Sequence, residues 1–258
     1  MFTSLQSLEP MHVEARLLVG YPQLIQTGRP RLLRGDANEV LRALRLLTEP
    51  SQVIELRLLH VLPERRQMPV TMSGYFNDPG ELANKALAFG GCAQGTYITL
   101  NPINPALLAR AVNRIRIIGR DDPLTTDADT TRRCWLPIDF DPVRPRGISS
   151  TDDEHDRAIA RAFRVRDVLR GEGWADPIVG DSGNGSHLLY RVELPTIDGG
   201  LVKRCLEALA VRFDDDAVRI DTSVFNPSRI WKLYGSASRK GDHVTARPHC
   251  LARILEAP

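Results

Sequence analysis

From residue 36 onward, apolar positions recur at helical spacing. Val40, Leu41, Leu44 and Leu47 form one stripe, Asp36 with Glu39 three residues later marks its start, and Pro50 follows its end. The pattern then shortens to branched runs. VIELRLLHV (53–61) and PVTMSGY (69–75) predict two strands across a turn containing Pro63, Glu64 and Arg65. Asp78-Pro79 opens a helix that runs through Phe89 and closes at Gly90-Gly91. GTYITL (95–100) predicts a third strand. Asn104-Pro105 starts a short helix, and RIRIIG (114–119) alternates like a strand.

Residues 120–133 are polar, carry no apolar period, and predict a loop between two halves. Beyond them CWLPIDFD (134–141) predicts a strand. Thr151 with Glu154 is a capping-box signature for a helix to about Arg170. PIVGDSG and HLLYRVEL (within 177–194) predict a hairpin with a glycine-rich turn. Asp198 caps a helix carrying Leu201, Cys205, Leu209 and Phe213, and VRID (218–221) is a short strand. The order β-α-β-β-α-β is that of the split βαβ, ferredoxin-like (RRM-like) unit, whose helices share one sheet face and leave the other open. The expected class is α+β. An N-terminal α/β half (51–120) packs on an RRM-like half (134–258), and residues 1–50 form a helical extension.

Composition narrows the function classes. The 258 residues are 42% hydrophobic and 26% charged, which suits a folded core rather than disorder. Lys plus Arg number 34 against 32 Asp plus Glu, a net charge of +2, so any nucleic-acid contact must come from local patches. No apolar run approaches the roughly 20 residues of a membrane span, and no basic-then-apolar leader opens the chain, so a cytoplasmic protein without a membrane partner is expected. Cys92, Cys134, Cys205 and Cys250 lie far apart, without a C-x-x-C pair. They predict reduced thiols and no zinc site.

Three segments carry candidate chemistry. Asp139-Phe140-Asp141 ends an apolar strand, so alternation puts both carboxylates on one face and Phe140 on the other. A rigid acidic pair of this kind suits divalent cations, and hard oxygen ligands favour Mg²⁺ or Mn²⁺. The same spacing at Asp127/Asp129 and Asp214/Asp216 falls in a loop and at a helix end. Asp221, closing VRID, lies where the topology brings a third carboxylate to the pair; alternatively it is an N-cap for TSVFNP. DSGNGSHLLY (181–190) joins small residues, which let backbone approach a phosphate, to His187, or is a plain turn with an incidental histidine. FNPSRIWKLYGSASRKG (225–241) sets Arg229, Lys232, Arg239 and Lys240 among Trp231 and Tyr234. Such a cluster suits a triphosphate or a nucleic-acid strand. Arg229 and Lys232 share a side if the segment is a helical turn and take opposite sides if it is a strand. Arg114, Arg116, Arg132 and Arg133 are further basic candidates for a template strand.

In this order the segments resemble the catalytic core of the archaeo-eukaryotic primase superfamily, particularly the primase-polymerases of phages, plasmids and mobile elements. The matches are Asp139-Phe140-Asp141, then Gly185-Ser186-His187, then Asp221, followed by Arg229, Lys232 and SASRKG (236–241) with Lys240. GYFNDPGELANKAL and GTYITLNPINP (within 74–105) look similar to the preceding half of bacterial members. The resemblance implies a primase-type core in which Asp139, Asp141 and Asp221 are catalytic and hold two Mg²⁺ or Mn²⁺ ions. His187, Ser186, Arg229, Lys232 and Lys240 would hold the incoming NTP or dNTP. It implies primer synthesis or extension on a single-stranded DNA template, with a helicase in cis or in trans as a further partner. The chain departs from the pattern at Gly185, where Ser is common and a backbone N–H would replace the hydroxyl. Tyr234 and Ser238 stand where Pro and Asn are frequent, and the family's zinc-binding element has no counterpart. No P-loop follows the last motif, as in a piece of a larger primase-helicase. Two other classes compete: a non-catalytic module binding single strands, and a replication-initiator nuclease, which would need a His-x-His pair that the six scattered histidines do not supply.

Overall fold

Among the described residues, the fold is a pair of five-stranded antiparallel sheets and a two-stranded ribbon, with four α-helices. It is seen in a computed structural model that describes residues 33–62 and 68–258. The first 32 residues of the expected extension, and the turn at Pro63, Glu64 and Arg65, lie outside the described residues.

The Asp36 carboxylate accepts from the amides of Asn38 and Glu39 and starts α1 (Ala37–Leu47), whose Val40, Ala43, Leu44 and Leu47 are buried. The first sheet has the order β4-β2-β1-β3-β9. It is built from β1 (Ile54–Val61), β2 (Val70–Phe76), β3 (Gly95–Thr99), a two-residue β4 (Arg116–Ile117) and β9 (Ile230–Lys232). α2 (Pro79–Gly90) lies between β2 and β3, capped by Asp78 with Pro79 in its first turn, where a missing N–H costs no bond. Both α1 and α2 pack together, and α2 covers β1. The short helix at Pro105–Arg110 is a 3₁₀ turn. The expected strand over 114–119 shrinks to β4, and beside it Gly74 on β2 leaves room for the Arg114 carbonyl, within 1.9 Å of where a Cβ would stand.

The second sheet has the order β12-β6-β7-β5-β8, antiparallel at every pair. Its strands are β5 (Arg133–Pro142), β6 (Ile178–Asp181), β7 (Ser186–Leu194), β8 (Val218–Ile220) and β12 (Arg253–Glu256). α3 (Asp152–Gly171) begins in the Thr151/Glu154 capping box, and α4 (Leu201–Phe213) follows β7. Without β12, this is the strand order of the split βαβ unit read from the sequence. The α4 cap differs from expectation. Gly200 occupies the cap position at φ 80, and Asp198, two residues upstream, accepts from the amides of Gly200 and Val202. A ribbon of β10 (Ala237–Ser238) and β11 (Cys250–Leu251) leads into β12. These late strands are too short to show a period in the sequence.

Ile138 and Phe140 on β5 are fully buried with Ala158, Ala162 and Val165 of α3, so one face of the second sheet is sealed. One polar link crosses that seam. His155 Nε2 lies 2.8 Å from Asp181 Oδ1, and the Gly183 amide donates to the same oxygen at 2.6 Å. Burial works against charging His155, yet the Asp181 hydrogen bond and charge, with Asp156 and Asp152 beyond, raise its pKa above the ordinary value. A raised pKa in the fold adds stability that is complete below the unfolded value and fades as pH climbs through the folded one. His155→Ala should therefore cost about 1–3 kcal/mol below about pH 6.5, with the gap to the parent narrowing at higher pH. Urea titrations at a series of pH values would show it; a gap that widens with pH would contradict it.

Candidate active site

The open face of the second sheet carries the chemistry. Along β5, Phe140 turns toward the helices and Asp139 and Asp141 toward the other side, as alternation requires. Register then sets a row across the sheet: Asp139 pairs with His187 on β7, and His187 with Gly180 on β6. On the other flank β8 ends at Ile220, and the Asp221 amide donates to the Asp139 carbonyl at 2.9 Å. That bond fixes where the third acid leaves the sheet. Asp221 also caps the 3₁₀ turn Thr222–Phe225, its Oδ1 accepting from the Ser223 amide at 2.8 Å. Capping and convergence hold at once, since a carboxylate has two oxygens. Asp139, Asp141 and Asp221 each bring an oxygen within 4.8 Å of the others.

Three acids this close repel each other unless cations intervene. Burial opposes charge on Asp139, but the His187 ring beside it, with Lys240 and Arg144 farther out, brings its carboxyl below the ordinary range. The Asp139 charge, followed by burial, then pushes Asp141 up, and Asp221 adds to that push. Arg144 lies 3.7 Å from Asp141 and is held by the carbonyls of Pro142 and Ile148. An all-oxygen set with one carboxyl driven toward protonation is a donor set suited to a hard divalent ion, and these three residues can hold a metal ion.

The basic residues are distributed unequally. His187 is buried, with Nε2 3.5 Å from Asp139 Oδ1 and Nδ1 2.9 Å from the Tyr234 hydroxyl. Lys240 is close enough to lower the pKa values of both Asp139 and Asp141. Lys232 is on β9, paired with Tyr97 on β3, so the 229–232 segment is strand-like rather than a helical turn. Its Nζ donates to the Ala237 carbonyl at 2.6 Å and sits 5.5 Å from the Tyr97 ring centre. Burial pushes the Lys232 pKa down to about 7, helped by the charges of Lys240 and Arg239. Arg229 donates to the Ser223 carbonyl, just beyond Asp221, and its Nε is buried without a hydrogen-bond partner.

Ser186 stands apart. Its side chain is fully buried, opposite Phe140 in register, and its hydroxyl donates to the Gly180 carbonyl at 2.9 Å. It lies on the sealed side of β7 and not with the carboxylates. At Gly185 a Cβ would come within 2.3 Å of the Phe140 carbonyl oxygen, so a serine has no room there. The Gly185 amide is already bound to Ser182 Oγ at 2.9 Å and does not replace that hydroxyl at the site. Of the other basic candidates, Arg116 pairs with Asp122 and Arg132 with Glu49, while Arg133 is buried 3.5 Å from Asp198. The two remaining acidic pairs are structural: Asp127 binds Ser228 and Asn226, and Asp214 accepts from the Ile220 amide.

Sequence reasoning missed Tyr97 and Arg144. Burial, then the charges of Asp139 and Asp141, raise the Tyr97 pKa, which marks its hydroxyl as near the acids. The signal for Tyr97 was its place on a strand, but its partner β9 is invisible to periodicity. Arg144 follows Asp141 by three residues in a Pro-rich turn and carries no motif.

No family model and no curated protein matches the chain. Among solved structures, the primase RepB′ is matched with TM-score 0.43 and 13% identity, over 86% of this chain and 56% of that one. The chain thus spans little more than half the length of that structure.

Proposed function

We propose that this chain is a template-directed nucleotidyltransferase, a primase-polymerase that makes or extends primers on single-stranded DNA from NTPs or dNTPs. The observation that carries the proposal is the gathering of Asp139, Asp141 and Asp221 on one sheet face, with His187 and Lys240 at its border. In this reading Asp139, Asp141 and Asp221 would hold two Mg²⁺ or Mn²⁺ ions, whose chemistry when bound would be to activate a 3′-hydroxyl and stabilise the leaving pyrophosphate.

The chain's own side chains do the rest. Anchored by Ile138 and Phe140 in the core, β5 keeps Asp139 and Asp141 from drifting apart under their mutual repulsion. His187 donates to a phosphate oxygen, and Lys232, Lys240 and Arg229 neutralise triphosphate charge and fix it in line for attack. Arg144 offsets the charge on Asp141. No protein nucleophile is needed, because the attacking group belongs to the primer or the first nucleotide. Single-stranded DNA is the partner, and a helicase acts as a separate region or polypeptide.

Incorporation of a labelled nucleotide on single-stranded DNA tests the reading. Asp139→Ala and Asp141→Ala should each lower it by at least about 10²–10³-fold, the scale of losing a preorganised electrostatic contact. Chelation should abolish it and Mg²⁺ or Mn²⁺ restore it. Synthesis at the parental rate in both variants would overturn the mechanism. A readout independent of activity is thermal stability. Asp141→Asn relieves repulsion, so it should raise the metal-free Tm and remove the Tm gain that added Mg²⁺ or Mn²⁺ gives the parent.

Lys232 gives a pH signature. It is cationic below about pH 7 and neutral above. Triphosphate affinity, measured by equilibrium binding, should fall by up to about tenfold per pH unit above that point. Lys232→Met should bind weakly and lose this slope. An unchanged slope in the variant would remove Lys232 from the site.

A further inference from the structure

Beside the acidic triad, Tyr234 and Trp231, which the proposed chemistry does not use, form a hydrogen-bond chain that ends on His187, next to Asp139. Tyr234 is fully buried, and its hydroxyl meets two nitrogens: His187 Nδ1 at 2.9 Å and Trp231 Nε1 at 3.4 Å. An indole nitrogen can only donate, so Trp231 N–H points at the Tyr234 oxygen. A phenol carries one proton, and burial first of all keeps it there by pushing its pKa far above the ordinary value. The remaining neighbour of that proton is His187 Nδ1, which must therefore accept it. The ring proton of a neutral His187 then sits on Nε2, the nitrogen 3.5 Å from Asp139 Oδ1.

The rest of the pocket keeps this arrangement in place. The Trp231 ring lies against His187 with centroids 4.2 Å apart and prevents it from swinging away. Gly180, directly across from His187 in register, has no side chain where the Tyr234 ring packs; a Cβ there would lie 2.3 Å from the Tyr234 hydroxyl and 2.5 Å from Cζ. Space, stacking and proton count agree. We infer that Tyr234 is a positioning residue that fixes His187 as the Nε2–H tautomer, so that the ring presents a donor, never a lone pair, to the carboxylate site. Use of that donor on a phosphate oxygen rests on the function proposed above; the tautomer itself does not.

Two-bond ¹H–¹⁵N correlations of the ¹⁵N-labelled full chain, recorded where the ring is neutral and assigned by loss of the signal in His187→Ala, read the tautomer directly. The parent should show the protonated nitrogen at Nε2. Tyr234→Phe keeps the ring over Gly180, so the variant should stay folded by circular dichroism while its His187 shifts toward a tautomer mixture. An Nδ1–H parent, or a variant with the parental pattern, overturns the inference. In equilibrium titration with a nucleoside triphosphate and Mg²⁺, Tyr234→Phe should bind about tenfold more weakly, the worth of one hydrogen bond to a charged group. Parental affinity in Tyr234→Phe alongside a loss in His187→Ala would also count against positioning by Tyr234. Parental affinity in His187→Ala with the tautomer still set by Tyr234 would instead count against the nucleotide role of His187 and leave the positioning intact.

Discussion

Everything at the site depends on holding like charges together. Three carboxylates with oxygens within 4.8 Å of one another are not an arrangement that side chains choose freely. Here backbone imposes it. Asp139 and Asp141 belong to a strand whose alternate residues are locked in the core, and the amide of Asp221 is bonded to the carbonyl of Asp139 itself. The packing free energy of Ile138, Phe140 and their helix partners is what opposes the repulsion. Neighbouring groups then offset the remainder: His187 and Lys240 beside Asp139, Arg144 beside Asp141. One carboxyl is thus lowered and its neighbour raised, because charge on the first disfavours charge on the second.

Much of this was legible in the sequence because it follows from period and punctuation. The capping box at Thr151 and Glu154, the alternation that separates Phe140 from its flanking acids, and the β-α-β-β-α-β order all reappear in the structure. The convergence of Asp221 was readable only through topology, since eighty residues of chain separate it from Asp141 while one hydrogen bond joins it to Asp139. What escaped was decided by partners rather than pattern. β9, β10 and β11 are two or three residues long, below any detectable period; β9 exists because distant β3 supplies its hydrogen bonds, and β10 and β11 because they pair with each other. Ser186 and His187 are neighbours in a motif, but one side of β7 is core and the other is site, so adjacency in sequence separates them in space.

Two positions where the sequence differs from the pattern it resembles are tightly packed. Gly185 is small because the Phe140 carbonyl fills the place of a side chain. The Tyr234 ring packs over Gly180, with its hydroxyl 2.9 Å from Nδ1 of His187.

The placement of β9 reaches beyond the site. It closes the outer edge of β3, yet it is encoded after both helices of the other sheet. During synthesis the first sheet therefore emerges with that edge bare, and a bare edge invites pairing with foreign strands. The chain cannot finish its first layer until it has nearly finished its second, so the two layers must mature together, and an early translational stop would release a half-built sheet prone to aggregate.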